Sequence, residues 1–377
     1  MKKIFTIVGT RPEIIRLSRI IKQLDAVCDH KLIHTGQNYD YELSEIFFDQ
    51  LDLRKPDLYL DSGAGATSFA ETIGKIFVAL NDYFLRDRPD GILILGDTNS
   101  CLSAYVAKRH KIPVFHMEAG NRCFDFRVPE EINRRIVDHI ADINFPYSDI
   151  AREYLLNEGI HAANIIKTGS PMREVLDFYM PKINKSEILE KLQLKKDKYF
   201  LISLHREENI EKQNFEKFLY NLVTHLDQEY SLPVLVSTHP RTRGKINEDL
   251  FDPNLVRFAK PFGYFDYVNL QMNSKAVMSD SGTINEEADI LGLKALNLRD
   301  SHERPEAMEH GVTMMTGLNI DQISAGLNFL LTNVDKAKSL VPDYNIPYVS
   351  KIVVNAIISY IPHVNSKTWF KSELTSE

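Results

Sequence analysis

The sequence predicts an α/β fold made of two Rossmann-like domains. Strands that alternate with helices imply parallel sheets. The 377 residues also exceed the roughly 250–300 residues at which a single core stops growing, so two domains are expected. The short apolar runs that predict strands, with helical patterns between them, occupy residues 4–8, 31–34, 91–95, 114–116, 200–203, 234–237, 276–278 and 295–298.

The order of these elements divides the chain. The strand at 4–8 is followed by a tight turn and a helix in which Pro12 suits the first turn. A second strand series restarts at Phe200, after a polar stretch rich in lysine. The predicted division is an N-terminal domain at 1–175, a C-terminal domain at 176–346, a closing helix at 347–361 that returns to the N-terminal domain, and a polar tail at 362–377.

Composition excludes several classes of function. Lys and Arg number 45 against 52 Asp and Glu, a formal charge of -7. Without a dense basic run, a nucleic-acid partner is disfavoured, because duplex binding needs a cationic face. Cys28, Cys101 and Cys123 lack metal-type spacing, so we expect no disulfide framework and no zinc site.

The N-terminal apolar run predicts a strand and not a signal peptide, because it ends at Gly9 and the charged Arg11. No window approaches the ~20 apolar residues needed to span a bilayer. We therefore expect a cytoplasmic protein without a membrane partner.

The first motif, GTRPE at residues 9–13, joins the first strand to the first helix. Backbone N–H groups at a helix N-terminus, with Arg11 beside them, can bind a phosphate. A tight turn with a solvated arginine explains the same residues equally well. The dinucleotide fingerprint G-x-G-x-x-G is absent here.

Three carboxylates follow strands or loops of the N-terminal domain. Asp97 comes after the strand at 91–95, Glu118 after the strand at 114–116, and Glu130 lies further on. Clustered carboxylates shift one another's pKa and can divide acid and base roles. A helix cap is the structural alternative for Asp97.

The segment PEEINRR, residues 129–135, also has a structural explanation. Glu130 and Glu131 precede Arg134 and Arg135 by four residues, which is the spacing of ordinary helix ion pairs. The helix pattern predicts a buried apolar face made of Ile132, Ile136 and Ile140.

Two motifs of the C-terminal domain suggest a site for a diphosphate. His205 and Arg206 close its first strand, although a structural histidine is the alternative there. Residues 281–283 would begin a helix and present N–H donors to a diphosphate, while Glu287 one turn on could accept from ribose hydroxyls.

The motifs GTRPE, GDTNS, HMEAGNR, PEEINR, LHREEN, SDSG and ERPEA occur in this order across nearly the whole chain. As a set they resemble the non-hydrolysing UDP-N-acetylglucosamine 2-epimerase family. The resemblance implies a glycosyltransferase-B-like pair of Rossmann domains, a cleft between them and a C-terminal helix crossing back. It also implies a homodimer, and neither a cofactor nor a metal.

The resemblance further implies a reaction and its residues. A UDP-N-acetylhexosamine substrate would be inverted at C2 by elimination and re-addition of UDP, through a 2-acetamidoglucal. The implied catalytic residues are Asp97, Glu118, Glu130, His205 and Arg16. The residues implied to bind UDP are Arg11, His205, Ser281, Gly282, Thr283 and Glu287.

Several positions depart from the common family pattern. Arg16 stands where the family usually has Lys, Asn121 and residues 123–125 follow the Glu-Ala-Gly motif, and residues 37–41 read Gln-Asn-Tyr-Asp-Tyr where Gln-His is typical. These variants resemble the branch that makes UDP-N-acetyl-L-fucosamine, for surface polysaccharides, from a 6-deoxy-talose precursor. Without the His, activation by a second UDP-N-acetylglucosamine, as in regulated members, is not expected.

Other functions fit the same architecture. A UDP-sugar-dependent glycosyltransferase would bind the nucleotide with the same residues but would need an acceptor. A non-catalytic nucleotide-sugar sensor would bind UDP without exchange at C2, and the carboxylates argue against it. A hydrolysing relative would usually carry a fused sugar kinase, for which 377 residues leave no room.

Overall fold

The computed structural model describes residues 1–37, 41–238, 240–332 and 341–371. The chain forms two compact units. Unit 1 contains Met1–Asp177 and Asn345–Glu377, and unit 2 contains Phe178–Tyr344. Each unit has its own six-stranded parallel sheet, so the predicted fold class is confirmed.

Unit 1 is built on a sheet with the strand order β3-β2-β1-β4-β5-β6. This is the doubly wound order in which the chain reverses direction between β1 and β4, and ligands of such folds bind at that reversal. The strands are β1 Lys3–Val8, β2 Asp29–His34, β3 Leu58–Tyr59, β4 Gly91–Leu95, β5 Val114–Met117 and β6 Ile143–Phe145.

The helices of the first chain segment connect these strands. The first begins at Arg11 with Pro12 in its first turn and buries Ile14, Leu17 and Ile21, as the apolar spacing predicted. The helices of this segment are α1 Arg11–Val27, α2 Tyr41–Gln50, α3 Phe69–Arg86, α4 Ser103–Arg109 and α5 Pro129–Ile140, followed after β6 by α6 Asp149–Asn157 and α7 Met172–Asn184.

Unit 2 repeats the same topology. Its sheet has the order β12-β11-β10-β7-β8-β9, with the reversal between β7 and β10. The strands are β7 Phe200–Leu204, β8 Val234–Thr238, β9 Val256–Ala259, β10 Ala276–Ser279, β11 Ala295–Asn297 and β12 Met314–Met315. The helices are α8 Ile188–Lys191, α9 Glu207–Ile210, α10 Phe215–Tyr230, α11 Pro240–Arg243, α12 Tyr264–Asn273, α13 Ile284–Leu291, α14 Glu306–Glu309 and α15 Ile320–Thr332.

The last helix, α16 Val349–Lys367, packs against α1 within unit 1. The prediction that a polar tail begins at 362 is wrong, because the helix continues through Pro362. Buried Val364 anchors this extra turn, and the Trp369 ring lies 5.1 Å from the amine of Lys108. Packing therefore outweighs the one backbone hydrogen bond that a proline removes.

The orientation of α5 also differs from the sequence-based prediction. Ile132 and Ile136 are 48% and 45% exposed, whereas Glu131, Arg134 and Asp138 are buried. The helix turns its charged side inward because its arginines and carboxylates pair with groups of neighbouring loops. Only Ile140 of the predicted apolar face packs against the core.

In the part of the chain that the structure describes, no helix is both long enough and apolar enough to cross a bilayer.

Candidate functional site

Three loops of unit 1 lie side by side at the carboxyl ends of β1, β4 and β5, because those strands are neighbours in the sheet. Glu13 joins two of the loops. Its carboxylate accepts from the Gly9 amide at 2.6 Å and from the Thr98 hydroxyl at 2.7 Å. Burial raises the pKa of Glu13 to about 7, although these hydrogen bonds act in the opposite direction. No role for Glu13 was predicted from the sequence.

Asp97 is held by α5. Its Oδ2 accepts from Nε of Arg134 at 3.0 Å and lies 2.7 Å from Nη2. The side chain of Asn133 donates to the Asp97 carbonyl at 2.9 Å. The group that caps the following 3-10 turn is Thr98, whose hydroxyl accepts from the Ser100 amide. The structure thus gives the helix cap to Thr98 and leaves Asp97 paired with a guanidinium.

Glu118 pairs with Arg16 inside the protein. Its Oε2 lies 3.2 Å from Nη1 of Arg16, whose side chain is 2% exposed. The Arg16 guanidinium also lies 5.7 Å from the centre of the Tyr147 ring. Glu118 has a φ of 65°, a left-handed conformation that costs a residue other than glycine about 1 kcal/mol or more. The loop therefore holds this carboxylate in a position that the backbone does not favour.

Glu130 differs from its neighbour Glu131. Glu131 is fully buried and pairs with Arg134 at 3.1 Å and with Arg135 at 2.9 Å. Glu130 lies in the first turn of α5, is partly exposed, and has no ion-pair partner among the residues described. The ion-pair interpretation therefore applies to Glu131. Glu130 lies one turn before Arg134, the residue that contacts Asp97.

Arg11 occupies the first position of α1, and its guanidinium lies 5.7 Å from the centre of the Phe47 ring. Of the residues predicted to bind UDP, it is the one that belongs to unit 1; the rest belong to unit 2.

In unit 2, Asp280 organises the loop that carries His205. Its carboxylate accepts from the amides of His205 and Arg206, at 3.1 and 3.0 Å, and lies 3.1 Å from Nδ1 of His205. Burial alone would raise the pKa of Asp280, but His205 and the donated hydrogen bonds lower it below its usual value. The SDSG motif contained Asp280, but the sequence did not reveal its role, because that role depends on a contact with a loop 75 residues away.

Residues 281–283 form the turn that leads into α13, with Thr283 as the residue before the helix. The Ser281 and Thr283 hydroxyls lie 3.0 Å apart. A Cβ at Gly282 would lie 3.0 Å from Oε1 of Glu303 and 3.3 Å from Nη2 of Arg206. Arg304 donates to the Gly282 carbonyl and also pairs with Glu286. The two guanidinium groups and two hydroxyls around this turn can donate to an anionic ligand, next to the carboxylate of Glu303.

Glu287 lies on α13 and is 5% exposed. Its Oε2 accepts from the side-chain amide of Gln271 on α12 at 2.7 Å. The structure therefore orients this carboxylate through a partner that the sequence did not suggest.

Among the described residues, no group of three or more His, Cys, Asp or Glu side chains could hold a metal ion.

One unit carries carboxylates that pair with arginines at the ends of its strands, and the other carries a glycine turn with two arginines nearby. Together with the two doubly wound sheets, these features define an α/β enzyme of the glycosyltransferase-B-like class. Residues 22–361 match the family model described as UDP-N-acetylglucosamine 2-epimerase. The chain belongs to the UDP-N-acetylglucosamine 2-epimerase family, and it is therefore an isomerase by class.

Individual relatives agree with this assignment. The structure of UDP-N-acetylglucosamine 2-epimerase from Rickettsia bellii is 46% identical, with a TM-score of 0.90 over 98% of this chain and 100% of that one. The Methanocaldococcus jannaschii UDP-GlcNAc 2-epimerase in complex with UDP-GlcNAc and UDP is 33% identical, with a TM-score of 0.85 over 95% and 99%. UDP-2,3-diacetamido-2,3-dideoxy-D-glucuronate 2-epimerase from Pseudomonas aeruginosa is 34% identical over 85% of this chain and 90% of the relative.

Proposed function

We propose that this enzyme inverts C2 of a UDP-N-acetylhexosamine without hydrolysing it, by elimination and re-addition of UDP. The observation that carries the proposal is the pair of carboxylates at the ends of β4 and β5. Asp97 and Glu118 each pair with a guanidinium, while Glu130 nearby on α5 lacks an ion-pair partner in the described chain.

The chemistry explains why such carboxylates are needed. The C2 proton is not next to a carbonyl, so its removal as a free carbanion faces a prohibitive barrier. A carboxylate instead takes the proton while the C1–O bond breaks, and the electron pair forms the C1=C2 double bond as UDP leaves. In the reverse sense, a proton reaches C2 from the opposite face and a UDP oxygen bonds to C1. Asp97, Glu118 and Glu130 supply the proton carriers for the two faces.

The proposed UDP site is built on the turn of unit 2, and Arg11 of unit 1 stays a predicted UDP-binding residue. Departure of UDP develops negative charge on the diphosphate, and preorganised donors stabilise it by several kcal/mol in typical sites. Arg206 and Arg304 beside Gly282 supply positive charge, and the hydroxyls of Ser281 and Thr283 supply donors. His205 would contact the leaving diphosphate.

The orientation of two further groups supports this site. Asp280 holds the loop of His205, and Gln271 orients Glu287 toward the proposed hydrogen bonds with the ribose. The relative from M. jannaschii, whose structure is in complex with UDP-GlcNAc and UDP, supports a UDP-sugar as the ligand.

The natural sugar is proposed to be UDP-GlcNAc or UDP-2-acetamido-2,6-dideoxy-L-talose, serving surface polysaccharide synthesis. The similarity to an epimerase of a diacetamido-glucuronate indicates that this architecture accommodates different substituents on the hexose. Asn121, a departure from the family pattern, is buried, and its Nδ2 has no hydrogen-bond partner among the described residues. Of the 37–41 motif, residues 38–40 lie outside the described residues.

Product analysis without an acceptor tests the function. The purified enzyme is incubated with each UDP-sugar, and the products are separated by anion-exchange chromatography. Conversion of UDP-GlcNAc to UDP-ManNAc, or of the talose sugar to UDP-L-FucNAc, is expected. Turnover only when an acceptor is added would identify a glycosyltransferase. UDP binding without turnover of either sugar would identify a sensor.

We also propose a cytoplasmic homodimer. The three cysteines are free thiols, which fits a reducing compartment. The helices α3, α4 and α5 pack side by side on unit 1. Large apolar side chains are exposed on all three helices, as expected if part of this surface is covered in a dimer. They are Phe69, Val78, Leu85, Tyr105, Ile132 and Ile136.

A further inference from the structure

His116 lies in β5, two residues before Glu118, and its ring is fully buried. Its Nε2 is 2.8 Å from the carbonyl oxygen of Gly96, the residue before Asp97. Its Nδ1 is 3.0 Å from Oδ1 of Asp138 on α5. The imidazole of His116 therefore contacts the loop of Asp97 on one side and the buried carboxylate of Asp138 on the other, and it lies in the strand that leads to Glu118.

The contacts of its two ring nitrogens indicate the charge of His116. A carbonyl oxygen can only accept, so Nε2 carries a hydrogen. Asp138 accepts from Nη1 of Arg122 at 2.7 Å and from the Gly120 amide at 3.1 Å, an arrangement that keeps it ionised. Nδ1 and Oδ1 of Asp138 lie 3.0 Å apart without the alignment of a hydrogen bond. Because an ionised carboxylate at that distance repels a bare nitrogen lone pair, Nδ1 carries a hydrogen as well, and His116 is an imidazolium.

The electrostatics agree with this geometry. Burial lowers the pKa of His116, but the contact with Asp138 outweighs burial, so the pKa lies above its usual value. Burial raises the pKa of Asp138, and His116 and Arg122 together bring it below its usual value. Asp97 also attracts the imidazolium, and Arg122 pairs in turn with Glu158 at 2.5 Å.

We propose that His116, held as an imidazolium by Asp138, is a positioning residue for the epimerisation. Through the Gly96 carbonyl it fixes the loop of Asp97. Through Asp138 and the Gly120 amide it fixes the loop of Glu118, whose left-handed conformation needs such support. This role rests on the proposed function of the two carboxylates.

The charge of His116 is tested on the intact enzyme without any turnover. Long-range proton–nitrogen NMR distinguishes the doubly protonated ring from either neutral tautomer, and the His116→Gln variant identifies the signal among the 12 histidines. At pH 7 we expect the histidine signal that the variant lacks to be that of a doubly protonated ring. A neutral His116 ring at pH 7 would overturn the proposal.

Kinetics test its positioning role. Gln keeps one N–H donor that can reach the Gly96 carbonyl but has no charge, so His116→Gln should lower kcat about 10- to 100-fold. UDP affinity, measured by calorimetry, should stay within about twofold of wild type, because His116 contacts Gly96 and Asp138 and none of the residues proposed to bind UDP. The control His161→Gln removes an exposed histidine of the same unit and should leave kcat unchanged.

Asp138→Asn provides the second variant. It should lower kcat like His116→Gln, and the double variant should lose little more than either single one, because both act through the same contact. If the wild type turns over substrate and His116→Gln has the same kcat, the positioning role of His116 is overturned, and the proposed function is not. A wild type that converts neither UDP-sugar would instead overturn the proposed function, whatever the NMR signal shows.

Discussion

At the residue scale, some functional side chains could be predicted from the sequence and others could not. The difference lies in whether a local motif or a long-range contact marks the residue. Asp97, Glu118 and His205 stand at strand ends inside short motifs, so their positions could be predicted from local pattern. Glu13 and Asp138 look like ordinary helix residues in the sequence. Glu13 has a local partner in the Gly9 amide, but its contact with Thr98 spans 85 positions, and that of Asp138 with His116 spans 22. No local pattern predicts these two long-range contacts.

Glu13 should make stability depend on pH. Its donors in the described chain are uncharged, and its pKa rises from an ordinary 4.5 to about 7 on folding. Between pH 4.5 and about pH 7, Glu13 is therefore protonated in the folded protein and ionised in the unfolded chain. This stabilises the protein below pH 4.5, and the contribution is lost as pH rises through 7. At 1.36 kcal/mol per pKa unit, the loss reaches about 3 kcal/mol.

The variant Glu13→Gln tests this directly, because it cannot ionise and can still bond to Gly9 and Thr98. The variant should become more stable relative to wild type between pH 5 and pH 8, with the free energy of unfolding measured by urea denaturation at both values. A difference between the two proteins that stays constant with pH would contradict the assignment.

Arg16 should be sensitive even to a conservative change. Lysine keeps the charge opposite Glu118 but loses the planar contact with Tyr147, so Arg16→Lys should lower kcat about tenfold. Arg16→Met removes the charge as well and should reduce turnover further. Epimerisation rates report both variants, with exposed Arg109→Met as the control. Equal activity in the lysine and methionine variants would show that the charge is not needed.

At the element scale, the apolar runs of the sequence predicted eight strands, including the short β5, β10 and β11, and missed four others. The strands β3, β6, β9 and β12 have two to four residues, too few for a period to stand out from chance. The orientation of α5 was also unpredictable. Its charged side faces inward because the partners of its arginines and carboxylates come from other elements, as with Asp97 and His116.

The turn after β5 offers a test with a matched pair of glycines. Both Gly120 and Gly292 have positive φ, 82° and 66°. A Cβ at Gly120 would overlap the carbonyl oxygen of Ala151, whereas a Cβ at Gly292 would meet nothing within 4 Å. Gly292→Ala should cost about 1 kcal/mol, the backbone term alone. Gly120→Ala should cost at least about 3 kcal/mol more. Urea midpoints of the two variants measure the difference, and equal losses would contradict the described packing at Ala151.

At the scale of the whole molecule, the alternation of strands and helices was enough to predict two parallel α/β domains. The pairing order within each sheet was not readable, because apolar runs such as 91–95 and 200–203 carry no information on which strand lies beside them. The family resemblance supplied the architecture that periodicity alone could not, and the structural similarity to the R. bellii epimerase confirms it.

The proposed dimer predicts a change of assembly without loss of fold. A carboxylate at Ile132 or Ile136, both about half exposed on α5, would have to be desolvated in an interface. Ile132→Asp and Ile136→Asp should therefore shift the mass measured by light scattering from dimer to monomer, with unchanged circular dichroism. Leu250→Asp, at an exposed leucine of unit 2, serves as the control. A wild-type protein that is already monomeric at micromolar concentration would contradict the proposal.

The most direct test of the proposed reaction follows the C2 proton itself. The enzyme is incubated in D2O with UDP-GlcNAc and, separately, with UDP-2-acetamido-2,6-dideoxy-L-talose, and the C2 and anomeric signals are followed by NMR. Asp97→Asn is the inactive comparison, and Asp82→Asn, at an exposed position on α3, is its control. Deuterium should enter C2 of one sugar as its epimer appears, in wild type and Asp82→Asn but not in Asp97→Asn. Retention of the C2 proton in both sugars, with UDP bound, would contradict the epimerase mechanism.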